Sequence, residues 1–181
     1  MKIAWTGKIV LIGFRGTGKS TVGKKLASSL GVEYVSTDDL IRQHFNLSIT
    51  EIIEKYGWTL FRKKESEIIK YLKLKDNLVI DTGGGSILNS ANRKNLKQNA
   101  IVVQLTAYKK DIYERILIGD DRPVLTSVTY SKKVSMKREI AELIESRKEL
   151  YNSISDITIN TSKNDIKKTI RIIFKHIKGL V

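Results

Sequence analysis

A chain of 181 residues with 41% hydrophobic and 29% charged side chains and a single proline has the size and balance of one compact domain, which excludes disordered, collagen-like and proline-rich classes. It contains no cysteine and only two histidines, His44 and His176, far apart in sequence, so disulfide frameworks, thiolate nucleophiles, iron–sulfur clusters and His-rich metal sites are excluded as well. The formal charge of +14 favours anionic partners, but the basic residues are spread along the chain, and a solvated basic surface explains them better than nucleic-acid binding. No apolar run is long enough to span a bilayer, and the first residues lack the cleavage site of a signal peptide, so the expected compartment is the cytoplasm.

Residues 8–12 are a short Ile/Val run stopped by Gly13, and after a glycine-rich turn residues 20–30 place Val22, Leu26, Ala27 and Leu30 at helical spacing. Gly31 closes that helix, and residues 32–35 read as a second strand ahead of the polar Ser36-Thr37-Asp38-Asp39. Ser48 followed by Glu51 fits a capping box, opening a helix with Ile49, Ile52 and Ile53 on its apolar side; Gly57 breaks it, and a longer helix runs over about 60–72. Residues 78–80 form a third strand leading into Asp81-Thr82-Gly83-Gly84-Gly85, and residues 100–105 a fourth. A helix over 109–117 precedes an aperiodic stretch, Gly119 to Pro123 and then 126–135, expected to be mobile. Helix resumes over 137–151, a weak fifth strand covers 157–160, and a last helix places Ile166, Ile170, Ile173, Phe174 and Ile177 on one stripe. Apolar strands alternating with helices imply a parallel sheet covered by helices, an α/β fold, and no repeat or linker divides residues 1–181.

Gly13-Phe14-Arg15-Gly16-Thr17-Gly18-Lys19-Ser20 matches G-x-x-x-x-G-K-[ST] between a predicted strand and a predicted helix. Glycines let the backbone curl around phosphate with its N–H groups inward, and the helix start adds its positive end. Lys19 can then reach the β- and γ-phosphates, and the Ser20 hydroxyl can ligate magnesium. The expected nucleotide contacts are Gly13, Gly16, Thr17, Gly18, Lys19, Ser20 and Thr21. Arg15 either adds positive potential or points into solvent. A P-loop serves motors, GTPases and kinases alike; the short chain and the lack of an Asn-Lys-x-Asp motif make a small kinase the economical inference.

Further features follow in order: Ser36-Thr37-Asp38 after strand two, Phe61-Arg62 with Glu65 one turn on, Thr82-Gly83-Gly84-Gly85 after strand three, Arg122-Pro123, and Arg147 with Tyr151. Singly these would read as surface ion pairs and ordinary turns; as an ordered set with the P-loop they resemble the shikimate kinase family across most of the chain. The resemblance implies a three-layer P-loop kinase fold with a five-stranded parallel sheet in the order 2-3-1-4-5, an acceptor-binding segment over about 36–66 and a lid over about 118–135. It implies phosphoryl transfer from ATP, with Mg2+, to the 3-hydroxyl of shikimate, in chorismate and aromatic amino-acid synthesis, by a soluble monomer.

Shikimate carries one carboxylate and three hydroxyls, and Arg62 and Arg147 can bind the carboxylate bidentately, which lysine cannot. Asp38 would accept from ring hydroxyls and orient or deprotonate the attacking one. Gly83, Gly84 and Gly85 would let backbone N–H groups approach the substrate, and Glu65 would hold the Arg62 guanidinium. On the donor side Arg122 resembles the lid arginine that closes over the phosphates, and Arg115 the one that stacks on adenine. Lys19, Asp38 and Arg122 are thus the catalytic candidates. The chain departs from the family pattern Asp-x-Asp after strand two, because aligning Asp38 with the second Asp leaves Ser36 at the first; making Asp39 the substrate residue instead would misplace Ile41. Asp81, at the end of strand three, is the candidate replacement beside Ser20 for the metal. The stretch from Arg122 to Arg147 is also longer than usual. Trp58 is either a reporter near the acceptor segment or core packing, and the histidines get no role. The competing readings are a kinase of another small hydroxy acid such as gluconate, and a catalytically weak nucleotide-binding regulatory module.

Overall fold

The computed structural model describes residues 7–119 and 134–179. The elements run β1 (Lys8–Ile12), α1 (Lys19–Leu30), β2 (Glu33–Ser36), α2 (Thr37–Phe45), α3 (Ile49–Leu72), β3 (Leu78–Asp81), a 3-10 turn (Ser86–Leu88), α4 (Ser90–Lys97), β4 (Ala100–Thr106), α5 (Lys109–Gly119), α6 (Val134–Asn152), β5 (Ile157–Asn160) and α7 (Ile166–Lys178). Among the described residues the five strands form one sheet, β2-β3-β1-β4-β5, with every pairing parallel. This is the expected α/β architecture and strand order.

The pleat sorts β1 between two cores. Ile9 and Leu11 face a layer that includes Val22 and Leu26 of α1 and Ile173 and Ile177 of α7; Val10 and Ile12 face Ile69 and Leu72 of α3, Leu96 of α4 and Tyr151 of α6. Because both faces are covered, the strands read as continuous apolar runs instead of alternating ones. A smaller cluster of Ile41, Ile49, Ile52 and Phe61 ties α2 to α3. Ile41 is fully buried there.

Several boundaries differ from the sequence reading. The polar stretch 36–39 is the start of α2: Ser36 ends β2 and its side chain accepts from the Asp39 N–H at 3.2 Å, capping the helix. Gly57, at φ 78° and ψ 166°, is non-helical and breaks α3 at a kink, where the sequence places the break. Helix α4 was not anticipated, because only Asn92 and Leu96 of its eight residues are buried, so it carries no apolar stripe and is defined by its Asn89 cap. On α7, Ile166 is exposed and the buried stripe begins at Ile170. Residues 118–119 belong to α5 and 134–135 to α6, while the rest of the expected lid, Arg122 included, lies outside the described residues.

Candidate active site

The carboxyl ends of β1, β2 and β3 lie side by side, and each is followed by a segment with chemistry: the glycine loop after Ile12, Thr37-Asp38 after Ser36, and Thr82 to Gly85 after Asp81. Open α/β sheets bind ligands at this edge. In the glycine loop Gly13 sits at φ 141°, and a Cβ there would collide with the Leu105 carbonyl oxygen. Gly18, at φ 87°, is the N-cap of α1 and provides no side-chain acceptor, so the first N–H groups of that helix are left for an anion. The Thr17 hydroxyl donates to the Phe14 carbonyl at 2.7 Å, and the Lys19 ammonium lies along the loop, donating to the carbonyls of Gly13 (3.0 Å) and Phe14 (3.1 Å).

One pocket opens over this loop. Gly16, Gly18, Lys19, Ser20 and Thr21 line it together with Ser36, Asp38 and Asp81. The Ser20 hydroxyl donates to Asp81 Oδ2 at 2.6 Å, and the Tyr34 hydroxyl donates to the same oxygen at 2.9 Å. Burial first, then the Asp81 charge, raises the Tyr34 pKa well above the ordinary phenol range, so it remains a donor. At the rim Arg115 donates to the Gly16 carbonyl at 3.0 Å and to Thr161 Oγ1 at 3.3 Å. Thr161 in turn donates to the Thr17 carbonyl at 3.0 Å, so the segment after β5 is tied to the phosphate loop.

A second pocket adjoins the first and shares Arg15 and Asp38 with it. Arg15 is buried between the two and does not extend into solvent. Arg62, Arg147, Glu65 and Gly83 to Gly85 supply the polar lining of this second pocket, while Phe14, Ile49, Ile53, Trp58 and Phe61 supply its apolar walls. Glu65 is fully buried, accepting from Arg62 Nη1 at 2.8 Å and from the Ser86 hydroxyl at 2.6 Å, one bond to each oxygen. Burial raises its pKa, and Arg62 and Ser86 oppose that shift. The Arg62 guanidinium lies 5.2 Å from the ring centres of both Trp58 and Phe61, so it is held from three sides. Trp58 stands partly exposed at the mouth. Arg147 donates to the Gly84 carbonyl at 3.3 Å, as does the Tyr151 hydroxyl at 2.5 Å, and burial pushes the Tyr151 pKa up to about 12.

Gly83 departs from the sequence expectation for the three glycines. None has a positive φ, and the Gly83 N–H, expected to approach substrate, is taken by the Thr37 hydroxyl at 3.0 Å. What they provide is space. A Cβ on Gly83 would lie 2.8 Å from Glu65 Oε1 and 2.9 Å from Asp38 Oδ1, one on Gly84 would lie 3.2 Å from the Arg15 amide nitrogen, and one on Gly85 would enter the Arg62 guanidinium. The functional side chains lie directly on the glycine backbone.

Thus the structure brings Asp38, Arg62, Glu65, Arg147 and the glycine run into one pocket, and Lys19, Ser20, Thr21, Asp81 and Arg115 into its neighbour. Sequence reasoning missed Tyr34, Thr37, Ser86 and Thr161. Tyr34 had a usable signal: residues 34 and 36 share one face of a strand, so a polar Tyr two residues before Ser36 addresses the same site.

Residues 15–178 match the family model described as shikimate kinase. A curated shikimate kinase of Caldanaerobacter subterraneus subsp. tengcongensis is 40% identical over 161 residues, 88% of this chain and 90% of the relative. One of Thermodesulfovibrio yellowstonii is 39% identical over 153 residues, 84% of each. Among solved structures, the shikimate kinase from Acinetobacter baumannii in complex with shikimate superposes with a TM-score of 0.86 at 31% identity, covering 96% of this chain and 93% of that one.

Proposed function

The chain belongs to the shikimate kinase family, and from that premise we propose how its own residues carry out the reaction. The reaction is ATP-dependent phosphorylation of the 3-hydroxyl of shikimate, giving shikimate 3-phosphate and ADP. The observation that carries the assignment of roles is the pair of adjoining pockets: one is a phosphate cradle, the other holds two arginines on an apolar floor, and Asp38 lines both.

Arg62 and Arg147 receive the carboxylate, Arg62 already oriented by Glu65, and the apolar walls cover the ring. Asp38, at the boundary, accepts the proton of the 3-hydroxyl and aims its oxygen at the γ-phosphoryl group. The loop N–H groups, Lys19 and the α1 N-terminus hold the phosphates, and Lys19 and Arg15 offset the charge that spreads over the phosphoryl oxygens during transfer. Arg115 positions the nucleotide at the rim. Arg122 is assigned to closing over the phosphates, where excluding water keeps ATP from being hydrolysed.

Magnesium fits the donor set. Ser20 and Asp81 place hard oxygen atoms together on the phosphate pocket, and Mg2+ is ordinarily bound by one or two such protein groups with phosphates and waters completing the shell. Those two residues would hold it. When bound, it supplies neutralisation of the β- and γ-phosphate oxygens.

The test is ADP release from ATP and Mg2+ with shikimate, with gluconate and nucleoside monophosphates as controls. Shikimate alone supports turnover; Asp38→Asn lowers kcat by about 10²- to 10⁴-fold, the range of a positioned general base, and Arg62→Ala acts mainly on the shikimate KM. Turnover with gluconate and none with shikimate overturns the reading.

A further inference from the structure

β2 and β3 pair so that Ser36 stands opposite Asp81, the last rung before both strands enter the phosphate pocket. The Ser36 hydroxyl oxygen is engaged by the Asp39 N–H as the cap of α2. The carboxylate on that rung therefore comes from β3, and it is buried and accepts from two hydroxyls. Both donors converge on Oδ2, filling its two lone pairs and leaving Oδ1 for a ligand of the pocket. The bond from Ser20 has a directional consequence: with its proton turned to Asp81, the Ser20 oxygen presents its lone pairs away from that carboxylate. Tyr34 fixes the other side of Asp81. Its ring is packed where a Cβ on Gly23 would lie 2.8 Å from Cε2, and Lys24 lies 5.9 Å from the ring centre, so the phenol is a rigid arm reaching from β2.

We propose that Asp81 is the metal-side carboxylate of this chain, in place of one at Ser36, and that Tyr34 is its positioning residue, holding Asp81 so that Ser20 turns its lone pairs to the cation on the nucleotide phosphates. The inference rests on the Mg2+-ATP reading above. Tyr34 also lines the phosphate pocket, and the role assigned to it runs through its bond to Asp81.

The experiment is calorimetric ADP binding with and without Mg2+, which needs no acceptor and no turnover, with melting curves to establish folding. The readout is the ratio of the two affinities. Tyr34→Phe, which keeps the ring and removes only the donor, lowers that ratio by about threefold to tenfold, the value of one hydrogen bond. Asp81→Ser lowers it further. Ser36→Asp in the Asp81→Ser background restores it, because aspartate also caps helices well and returns a carboxylate to the same rung. Ser36→Asp alone lowers the melting temperature, since two carboxylates then face each other across paired strands. A wild-type ratio well above one, unchanged in both Tyr34→Phe and Asp81→Ser, overturns the proposal and leaves the kinase reading standing. A wild-type ratio of one removes the magnesium reading and the proposal with it. Turnover that depends on shikimate is scored separately.

Discussion

At the residue scale the acceptor pocket depends on side chains being held by other side chains. Arg62 is fixed by Glu65, and Glu65 by Ser86, so a planar guanidinium is presented to the pocket in one orientation. The glycine run is what lets that arrangement lie close to the sheet edge. Gly85 has φ −105°, which any residue adopts, so Gly85→Ala leaves the backbone unstrained but drives its methyl into the Arg62 guanidinium. Steady-state kinetics on this variant show kcat/KM for shikimate reduced by about 10- to 100-fold, as expected for displacing a positioning group by a fraction of an ångström to an ångström. Its melting curve stays close to wild type. Unchanged kinetics would mean that Arg62 does not need its observed place. The residue types here were legible in the sequence, but the reason for the glycines was not: contact between Gly85 and Arg62 is a tertiary fact, and backbone N–H groups were the wrong inference for Gly83.

At the element scale, caps and kinks were readable wherever they are local. The box at the start of α3 forms as its sequence predicts, with the Ser48 N–H donating to Glu51 Oε2 at 2.7 Å and the Glu51 N–H donating to Ser48 Oγ at 3.2 Å. Ser48→Ala removes the side-chain acceptor and costs about 1 kcal/mol, a drop in melting temperature of about 2–4 °C for a chain of this size. A shift below one degree would show that α3 is held by its packing against the sheet, α2 and α4 without help from the cap. The sequence reading failed where local signals were weak or competed. Helix α4 has little apolar periodicity, and the polar run 36–39 carried no helix expectation although Ser36 and Asp39 form a cap. Strand β2 was placed one residue early, because Val32 is apolar yet sits in the connection while Ser36, polar, completes the pairing with Asp81.

At the scale of the whole molecule, α6 is tied to both pockets through Gly84. It begins at Val134, directly after the residues not described, and its Arg147 and Tyr151 both donate to the carbonyl of Gly84. Gly84 in turn packs against the backbone of Arg15 and Gly13 in the phosphate loop, so one peptide links the acceptor pocket, the phosphate cradle and α6. The buried phenols also make a global prediction. Tyr151 keeps its proton up to about 12 in the folded chain, against an ordinary value of 10.0, so the folded state binds more protons than the unfolded one between those values. The stability this gives is complete below pH 10 and is lost as pH rises towards 12. Melting temperature therefore falls over that window, and Tyr151→Phe flattens the fall while lowering the value at pH 7 through the lost bond to Gly84. Parallel curves for the two proteins would refute the assignment.

The sequence by itself determined the α/β class, the phosphate loop and the family, because a strand, a glycine loop and a helix in immediate succession are local facts, and an ordered set of motifs survives without knowing where they meet. It also supplied the identities of both arginines, Asp38 and Asp81. Only the tertiary structure decided that Asp38 and Arg15 stand between two pockets, that the glycines make room for Glu65 and Arg62, and that Tyr34 and Ser20 converge on one oxygen of Asp81. Those are contacts between residues 47 and 61 positions apart for Asp81 alone. They arise from strand order and register, which place β3 between β1 and β2, and no pattern within one segment encodes that neighbourhood.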